Sequence, residues 1–241
     1  MNSAQSVGDS KMTAQEFRKA RQNRKWSQQK LAEKLGISQG YVALLERGKR
    51  GFSSSLSRKA IRVLNMNPTA LPISKAPFSI PSDRLAFELS ALGYPGFRHL
   101  RSPRKRNPLE VLLGALAQNN LEARVTEALP WLLLQYAEMS DANQKWLLGQ
   151  ARLQGLTNRL GFIAALAREV AARSGDTTSP RYQSLLRLEE DLLRSRLDRE
   201  DTLCQSSLSL KEREWLKQSR PPQAETWHLL TDWLPEHLQY A

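Results

Sequence analysis

The amino-acid sequence predicts an all-α fold in which a proline-rich linker joins two helical domains. Apolar residues recur three or four positions apart along most of the chain, and no segment alternates apolar with polar residues as a strand would. Four prolines interrupt this pattern in residues 67–82, and proline prevents a continuous helix because it lacks an N–H donor and fixes φ. We predict an N-terminal domain over residues 13–71, a linker over 72–82 and about seven helices over 83–241.

Positive charge is concentrated in the first third of the chain. The protein has 241 residues, of which 40% are hydrophobic, and a formal net charge of +12. Residues 1–75 contain 15 lysines and arginines against 4 acidic residues, whereas residues 76–241 contain 21 against 20. A field concentrated in this way attracts a polyanion, and binding phosphates releases counterions. The distribution favours a nucleic acid as the partner, with an acidic partner protein as the alternative.

Capping residues define four α-helices in the N-terminal domain. Gly36 can adopt the positive φ that ends the second helix, and Gly48 closes the third. Ala32 and Gly36 are small, so the second and third helices can meet closely. The N-terminal caps are Thr13, Ser27, Ser38 and one serine of residues 53–55. The expected core comprises Leu31, Ala32, Leu35, Ile37, Val42 and Leu45 packed against Phe17, Ala20, Ile61 and Leu64.

Residues 27–49 carry a recognisable pattern, SQQKLAEKLGISQGYVALLERGK. It contains a glutamine after the cap, a Leu-Ala pair, a glycine, an apolar residue and serine in the turn, and a closing Glu-x-Gly-Lys. With this spacing, residues 14–71 resemble the helix-turn-helix of the XRE family, the bacterial and phage repressors similar to Cro and cI. The resemblance implies a five-helix Cro/cI-like domain whose second helix crosses the DNA backbone and whose third lies in the major groove.

The resemblance also implies a set of DNA-contacting residues. Gln28, at the positive end of the second helix, is expected to anchor a phosphate. Gln39 is expected to bond the N6 and N7 edge of adenine, and Leu44 to contact a thymine methyl. Gly40 departs from the usual polar residue and reads no base, while Tyr41 contacts a phosphate instead of a base. The full set of expected contacts is Gln28, Ser38, Gln39, Gly40, Tyr41, Leu44, Lys49, Arg50 and Lys59.

Two kinds of charge are expected in this domain. Lys49, Arg50 and Lys59 are interpreted as phosphate contacts that position the domain without specifying sequence. Arg21 and Glu46 fall where the family holds a partly buried ion pair between the first helix and the end of the third. Removing either partner of a fully buried pair costs about 3 to 5 kcal/mol, because it strands the other charge.

Capping residues also mark helices in the second domain. Asn107-Pro108 and Ser179-Pro180 each place a cap before a proline at the first helical position, and Ser209 precedes another helix. Two apolar stripes predict helices that bury one face. The first contains Leu160, Ile163, Ala164, Ala167 and Val170, and the second contains Leu185, Leu186, Leu192, Leu193 and Leu197.

Three other segments of the second domain have alternative interpretations. The basic run at residues 101–107 predicts a solvated loop, or a second contact with the DNA backbone. Residues 188–193 (LEEDLL) predict a helix with one solvent-exposed face and one packed face, or a dimer interface. The C-terminal aromatic residues are expected to pack between the last helices; they are Trp215, Trp227, Trp233 and Tyr240.

The chain lacks patterns that indicate metal binding or catalysis. His228 and His237 flank Asp232 and Glu236, but their nine-residue separation, interrupted by a proline, matches no helical ligand pair. Cys204 is the single cysteine and is expected to be an inert, half-buried residue. No glycine-rich phosphate loop, nucleophile elbow or HExxH motif occurs. We expect no metal, no cofactor and no enzymatic activity.

These observations predict a cytoplasmic, nucleoid-associated transcriptional regulator. The N-terminus lacks the pattern of a signal peptide, and no apolar run is long enough to span a membrane. We expect a repressor that binds a palindromic operator in double-stranded DNA as a homodimer. Residues 83–241 would dimerise, sense a small effector or bind a protein. The alternative is an antitoxin that autoregulates its operon while its helical domain neutralises a second protein.

Overall fold

The chain divides into two compact units, Met1–Pro77 and Phe78–Ala241. Both consist mainly of α-helices, which confirms the predicted all-α class. Among the helices described, none is long and apolar enough to cross a membrane. The computed structural model describes residues 12–73, 80–101, 105–173 and 175–240.

In its described residues, 12–73, the first unit contains four α-helices and one short 3₁₀ helix. A side-chain oxygen of Thr13, Ser27, Ser38 or Ser53 accepts a first-turn N–H in each α-helix. The fifth helix of the expected domain is a single 3₁₀ turn, Pro68–Ala70, because prolines at positions 68 and 72 leave no room for a longer one. The α-helices are α1 (Ala14–Asn23), α2 (Gln28–Leu35), α3 (Gln39–Glu46) and α4 (Ser54–Leu64).

A tight turn and a shared core hold α2 and α3 together. Gly36 has a φ of 66°, and the next residue, Ile37, donates its N–H to the carbonyl oxygen of Ala32 at 3.1 Å. This left-handed ending suits glycine because it has no Cβ. Ile61, expected in the core, is 6% exposed, and Ala20 and Ile37 are partly buried against the core. The buried core residues are Met12, Phe17, Leu31, Ala32, Leu35, Val42, Leu45, Ala60 and Leu64.

The second unit contains eight described α-helices, compared with about seven predicted. The shortest is the five-residue helix Pro222–Thr226. Asn107, Ser179 and Ser209 cap helices as predicted, the first two with proline at the next position. The helices are α5 (Ser82–Leu92), α6 (Pro108–Leu116), α7 (Ala123–Gln135), α8 (Asp141–Leu153), α9 (Thr157–Ala172), α10 (Pro180–Leu193), α11 (Leu210–Ser219) and α12 (Pro222–Thr226).

The second unit also contains one short pair of strands among its described residues, which the sequence did not indicate. Two parallel strands, β1 (Asp201–Thr202) and β2 (Leu229–Leu230), pair with each other. Each has two residues, which is too short to show alternation in the sequence. Arg159 fixes β1 from the side through a two-bonded ion pair with Asp201, with N–O distances of 2.8 and 2.9 Å.

Helix α9 is the centre of the second unit. The sequence predicted that α9 buries one apolar face, but every residue from Thr157 to Ala167 is buried. Helices α7 and α10 both pack against it, and the Trp227 ring lies directly over Gly161. Most of these buried residues are apolar or small and lie on every side of the helix, so its hydrophobic periodicity is weak. The buried Arg159 is instead satisfied by its ion pair with Asp201.

Three expectations about burial in the second unit were wrong. Leu193 was expected in the buried stripe of α10 but is 41% exposed, whereas Leu188, which lies outside that stripe, is buried. Trp227 is fully buried, but Trp215 is 58% exposed on α11 and does not form part of the core. Cys204 is fully buried rather than half-buried.

Two predicted segments fall partly outside the described residues. In the predicted linker 72–82, residues 74–79 are not described. After them, Ile80 is 1% exposed within the core of the second unit, so packing begins before the linker's expected end. In the basic segment 101–107, residues 102–104 are not described, and Arg106 forms a 3.4 Å ion pair with Glu88.

Candidate nucleic-acid interface

The first turns of α3 present an accessible surface on an anchored helix. Val42 and Leu45 are fully buried and fix the inner face of α3. The side chain of Ser38 accepts the N–H of Tyr41 at 3.1 Å, which satisfies a donor at the start of the helix. Gln39 and Gly40 are exposed on the other side. The part of this face that carries Gln39 is therefore open, and α3 does not need to move to expose it.

The remaining expected contacts on α3 are partly buried. Tyr41 packs against the core of the first unit, and Leu44 is half-buried. A Cβ added at Gly40 would meet no atom within 4 Å, so the space beside this glycine is open. Gly40 thus leaves room beside Gln39 for a close approach of a ligand to the α3 backbone.

Gln28 joins α2 to the exposed end of α3. Its side-chain Oε1 accepts a hydrogen bond from Gln39 Nε2 at 2.9 Å. Its Nε2 donates to Glu46 Oε2, also at 2.9 Å. Sequence reasoning assigned Gln28 only to a phosphate, because side-chain contacts across 11 and 18 residues leave no periodic signal. The phosphate contact stays a prediction, and the backbone N–H groups in the first turn of α2 remain suited to it.

The ion pair expected between Arg21 and Glu46 is present in the structure. Arg21 donates from Nε to Glu46 Oε1 at 2.6 Å and from Nη2 to Oε2 at 3.0 Å. The side chains are only 12% and 4% exposed. Burial favours a higher pKa for Glu46, but hydrogen bonds from Arg21 and Gln28, together with the charge of Arg21, lower this pKa below its usual value. The carboxylate is therefore ionised near neutral pH.

The cations expected to contact phosphates differ in their surroundings. Lys49 and Arg50 are exposed just beyond the end of α3. Lys59 is also exposed, but its Nζ donates to the carbonyl oxygen of Leu35 at 2.7 Å and so caps the C-terminus of α2. Sequence reasoning missed this capping role, and a phosphate contact by Lys59 stays a prediction.

A cationic cluster around Trp26 was not singled out from the sequence. The guanidinium of Arg24 lies 5.4 Å from the Trp26 ring centroid and Lys30 Nζ lies 5.7 Å from it. These distances are within the range of cation–π contacts. The cluster flanks Ser27, the N-cap of α2, and adds positive charge where a phosphate is expected. The signal is the segment RKWSQQK, in which a tryptophan separates basic residues.

Comparison with known proteins finds a family match within the first unit. Residues 17–71 match the family model for the helix-turn-helix, in agreement with the resemblance to the XRE family. This match supports a DNA-binding transcription regulator of the XRE kind. Neither a curated protein nor a solved structure matches the chain.

Proposed function

Because residues 17–71 form a DNA-binding helix-turn-helix domain of the XRE type, we propose that the protein is a sequence-specific transcriptional repressor. The observation that carries this proposal is the exposed side chain of Gln39 on α3, whose amide donates a hydrogen bond to Gln28. A side chain that is both exposed and held in one orientation is suited to reading a base edge, because little rotamer entropy is lost on binding.

Each part of the first unit has a role in this proposal. Helix α3 enters the major groove, where Gln39 contacts an adenine and Leu44 contacts a thymine methyl. The N-terminus of α2, together with Lys49 and Arg50, binds phosphates on either side of the groove. Repression follows because a protein that occupies the operator blocks access for RNA polymerase.

The operator is proposed to be palindromic and to bind a homodimer. One helix reads only a few base pairs, and each mismatch costs about 1 to 3 kcal/mol, so a single module gives limited specificity. Two modules related by a two-fold axis double the number of bases read, with half-sites about 34 Å apart. The second unit is proposed to supply the dimer contact.

Selection of binding sites from a random duplex library tests this proposal. The full-length protein should enrich two inverted half-sites, and Gln39→Ala should lose the preference at one position of each half-site. Analytical ultracentrifugation should show a dimer on the selected duplex. Equal binding to all duplexes would contradict sequence-specific regulation, and a single unrepeated half-site bound by a monomer would contradict the symmetric operator.

An antitoxin-like protein that binds a second protein is the other candidate. The feature that favours it is helix α11, where Leu210 is 85% and Trp215 is 58% exposed. Purification from the native host should then recover a stoichiometric partner that Trp215→Ala fails to retain. Recovery of the chain alone, in a DNA-binding state, would contradict this alternative.

A further inference from the structure

We propose that Glu46 is a positioning residue that sets base specificity, acting through Gln28 on the amide orientation of Gln39. This inference rests on the proposed function, since it names what Gln39 reads and why. It also goes beyond the ion pair expected from the sequence, which gave Glu46 only a role in holding helices α1 and α3 together.

The Glu46 carboxylate limits which groups can face it. An ionised carboxylate accepts hydrogen bonds and donates none. The Glu46 side chain is 4% exposed and accepts two hydrogen bonds from Arg21, which favours the ionised form. Its Oε2 also accepts from Gln28. Whatever side chain faces this oxygen must therefore present a donor.

The same requirement extends to the side-chain amides of Gln28 and Gln39. Gln28 must turn its NH₂ group towards Glu46, so its carbonyl oxygen faces Gln39. That oxygen requires a donor in turn, so Gln39 must direct its NH₂ group towards Gln28. One acceptor-only group thereby fixes the orientation of both amides, although an isolated glutamine could adopt either orientation.

Gln39 keeps part of its hydrogen-bonding capacity for a ligand. One N–H of its amide is used by Gln28, which leaves the second N–H and the carbonyl oxygen on an exposed side chain. Adenine presents N7 as an acceptor and N6–H as a donor in the major groove, which matches this pair. Guanine presents two acceptors, N7 and O6, and would face the carbonyl oxygen with one of them. The fixed orientation therefore favours adenine.

The test compares discrimination between two duplexes rather than overall affinity. One duplex is the site selected by the full-length protein, and the other replaces the Gln39-dependent A·T pair by G·C. Fluorescence anisotropy gives the two Kd values, and circular dichroism checks that each variant is folded. A phosphate contact by Gln28 contributes equally to both duplexes, so it leaves their Kd ratio unchanged.

The wild-type chain should prefer the adenine duplex by about tenfold, as one bidentate contact allows. Glu46→Gln should reduce this ratio to about twofold, because an amide at position 46 no longer requires a donor from Gln28. The double variant Glu46→Gln with Gln28→Glu should restore most of the ratio, since an acceptor-only group then faces Gln39 directly. The control is Gln29→Ala, which removes an exposed amide that bonds Glu33 within α2 and should leave the ratio unchanged.

Two results would overturn the inference while leaving the proposed function intact. One is a folded Glu46→Gln variant that keeps the tenfold preference, and the other is a double variant that does not recover it. If Glu46→Gln does not fold, Gln28→Ala is the second test, because it keeps the Arg21–Glu46 pair. This variant must lose the preference for the adenine duplex. An unchanged Kd ratio for Gln28→Ala would also overturn the inference. A wild-type chain that binds all duplexes equally contradicts the proposed function and this inference together.

Discussion

The ion pair between Arg21 and Glu46 is the residue-scale contact on which the first unit depends. It joins α1 to the end of α3, and Arg21 also donates from Nη1 to the carbonyl oxygen of Trp26 at 2.6 Å. Arg21→Ala should lower the free energy of unfolding by about 1 to 3 kcal/mol, because it removes the charged partner of the part-buried Glu46 carboxylate, which keeps its hydrogen bond from Gln28. Urea denaturation measures the loss. Lys19→Ala, an exposed change on the same helix, should alter it by less than about 0.5 kcal/mol.

Acidification should weaken the same contact. Because the pKa of Glu46 is lower in the folded than in the unfolded chain, its contribution to stability is complete above the unfolded pKa. The contribution is lost as the pH falls through the lowered folded value. The stability difference between the wild type and Glu46→Gln should therefore shrink as the pH is lowered. A difference that stays constant between neutral and strongly acidic pH would show that ionisation of Glu46 does not stabilise the fold.

Cys204 should be unreactive while the protein is folded. Burial raises the pKa of its thiol to about 11, and the nearby charge of Arg159 offsets only part of this effect. Reaction with iodoacetamide requires the thiolate, so labelling at pH 8 should be slow in the native protein and fast in urea. Rapid labelling without denaturant would show that the thiol is accessible.

At the scale of elements, the close contact between α9 and Trp227 sets a strict limit on residue size. A Cβ at Gly161 would lie 2.2 to 2.4 Å from three carbons of the Trp227 ring. Gly161→Ala should therefore destabilise the second unit by about 1 to 3 kcal/mol or more, because the buried ring must shift. Gly149→Ala is the matched control, since a Cβ there meets nothing within 4 Å on helix α8. It should stabilise the protein by about 0.5 to 1 kcal/mol, and thermal unfolding measures both.

Local signals allowed most elements to be predicted from the sequence. The caps Ser27, Ser38 and Ser53 begin helices because they bond to atoms within three residues, so the information lies in a short segment. Contacts between distant segments were not predictable. The β1–β2 pairing, the burial of α9 on all sides and the exposure of Trp215 depend on which elements become neighbours. The bonds from Gln28 to Gln39 and Glu46 were missed for the same reason, although both partners had been singled out individually.

At the scale of the whole molecule, the uneven charge predicts how DNA affinity depends on salt. Residues 1–75 carry a net charge of +11, whereas residues 76–241 carry +1. DNA affinity should fall steeply with salt, and Lys49→Ala should reduce the slope of log K against log [salt] by about one while leaving sequence preference unchanged. The control is Lys145→Ala, an exposed change on α8 that should leave the slope unaltered. Equal slopes for Lys49→Ala and the wild type would show that Lys49 does not contact a phosphate.

The central claim is that α3 reads base edges in the major groove through Gln39. The most direct measurement replaces the selected adenine by 7-deazaadenine, which removes the major-groove acceptor N7 and leaves base pairing intact. The wild-type chain should lose about five- to tenfold in affinity, whereas Gln39→Ala should bind both duplexes equally. If the wild-type chain also binds both duplexes with equal affinity, then Gln39 does not read that edge and the account is contradicted.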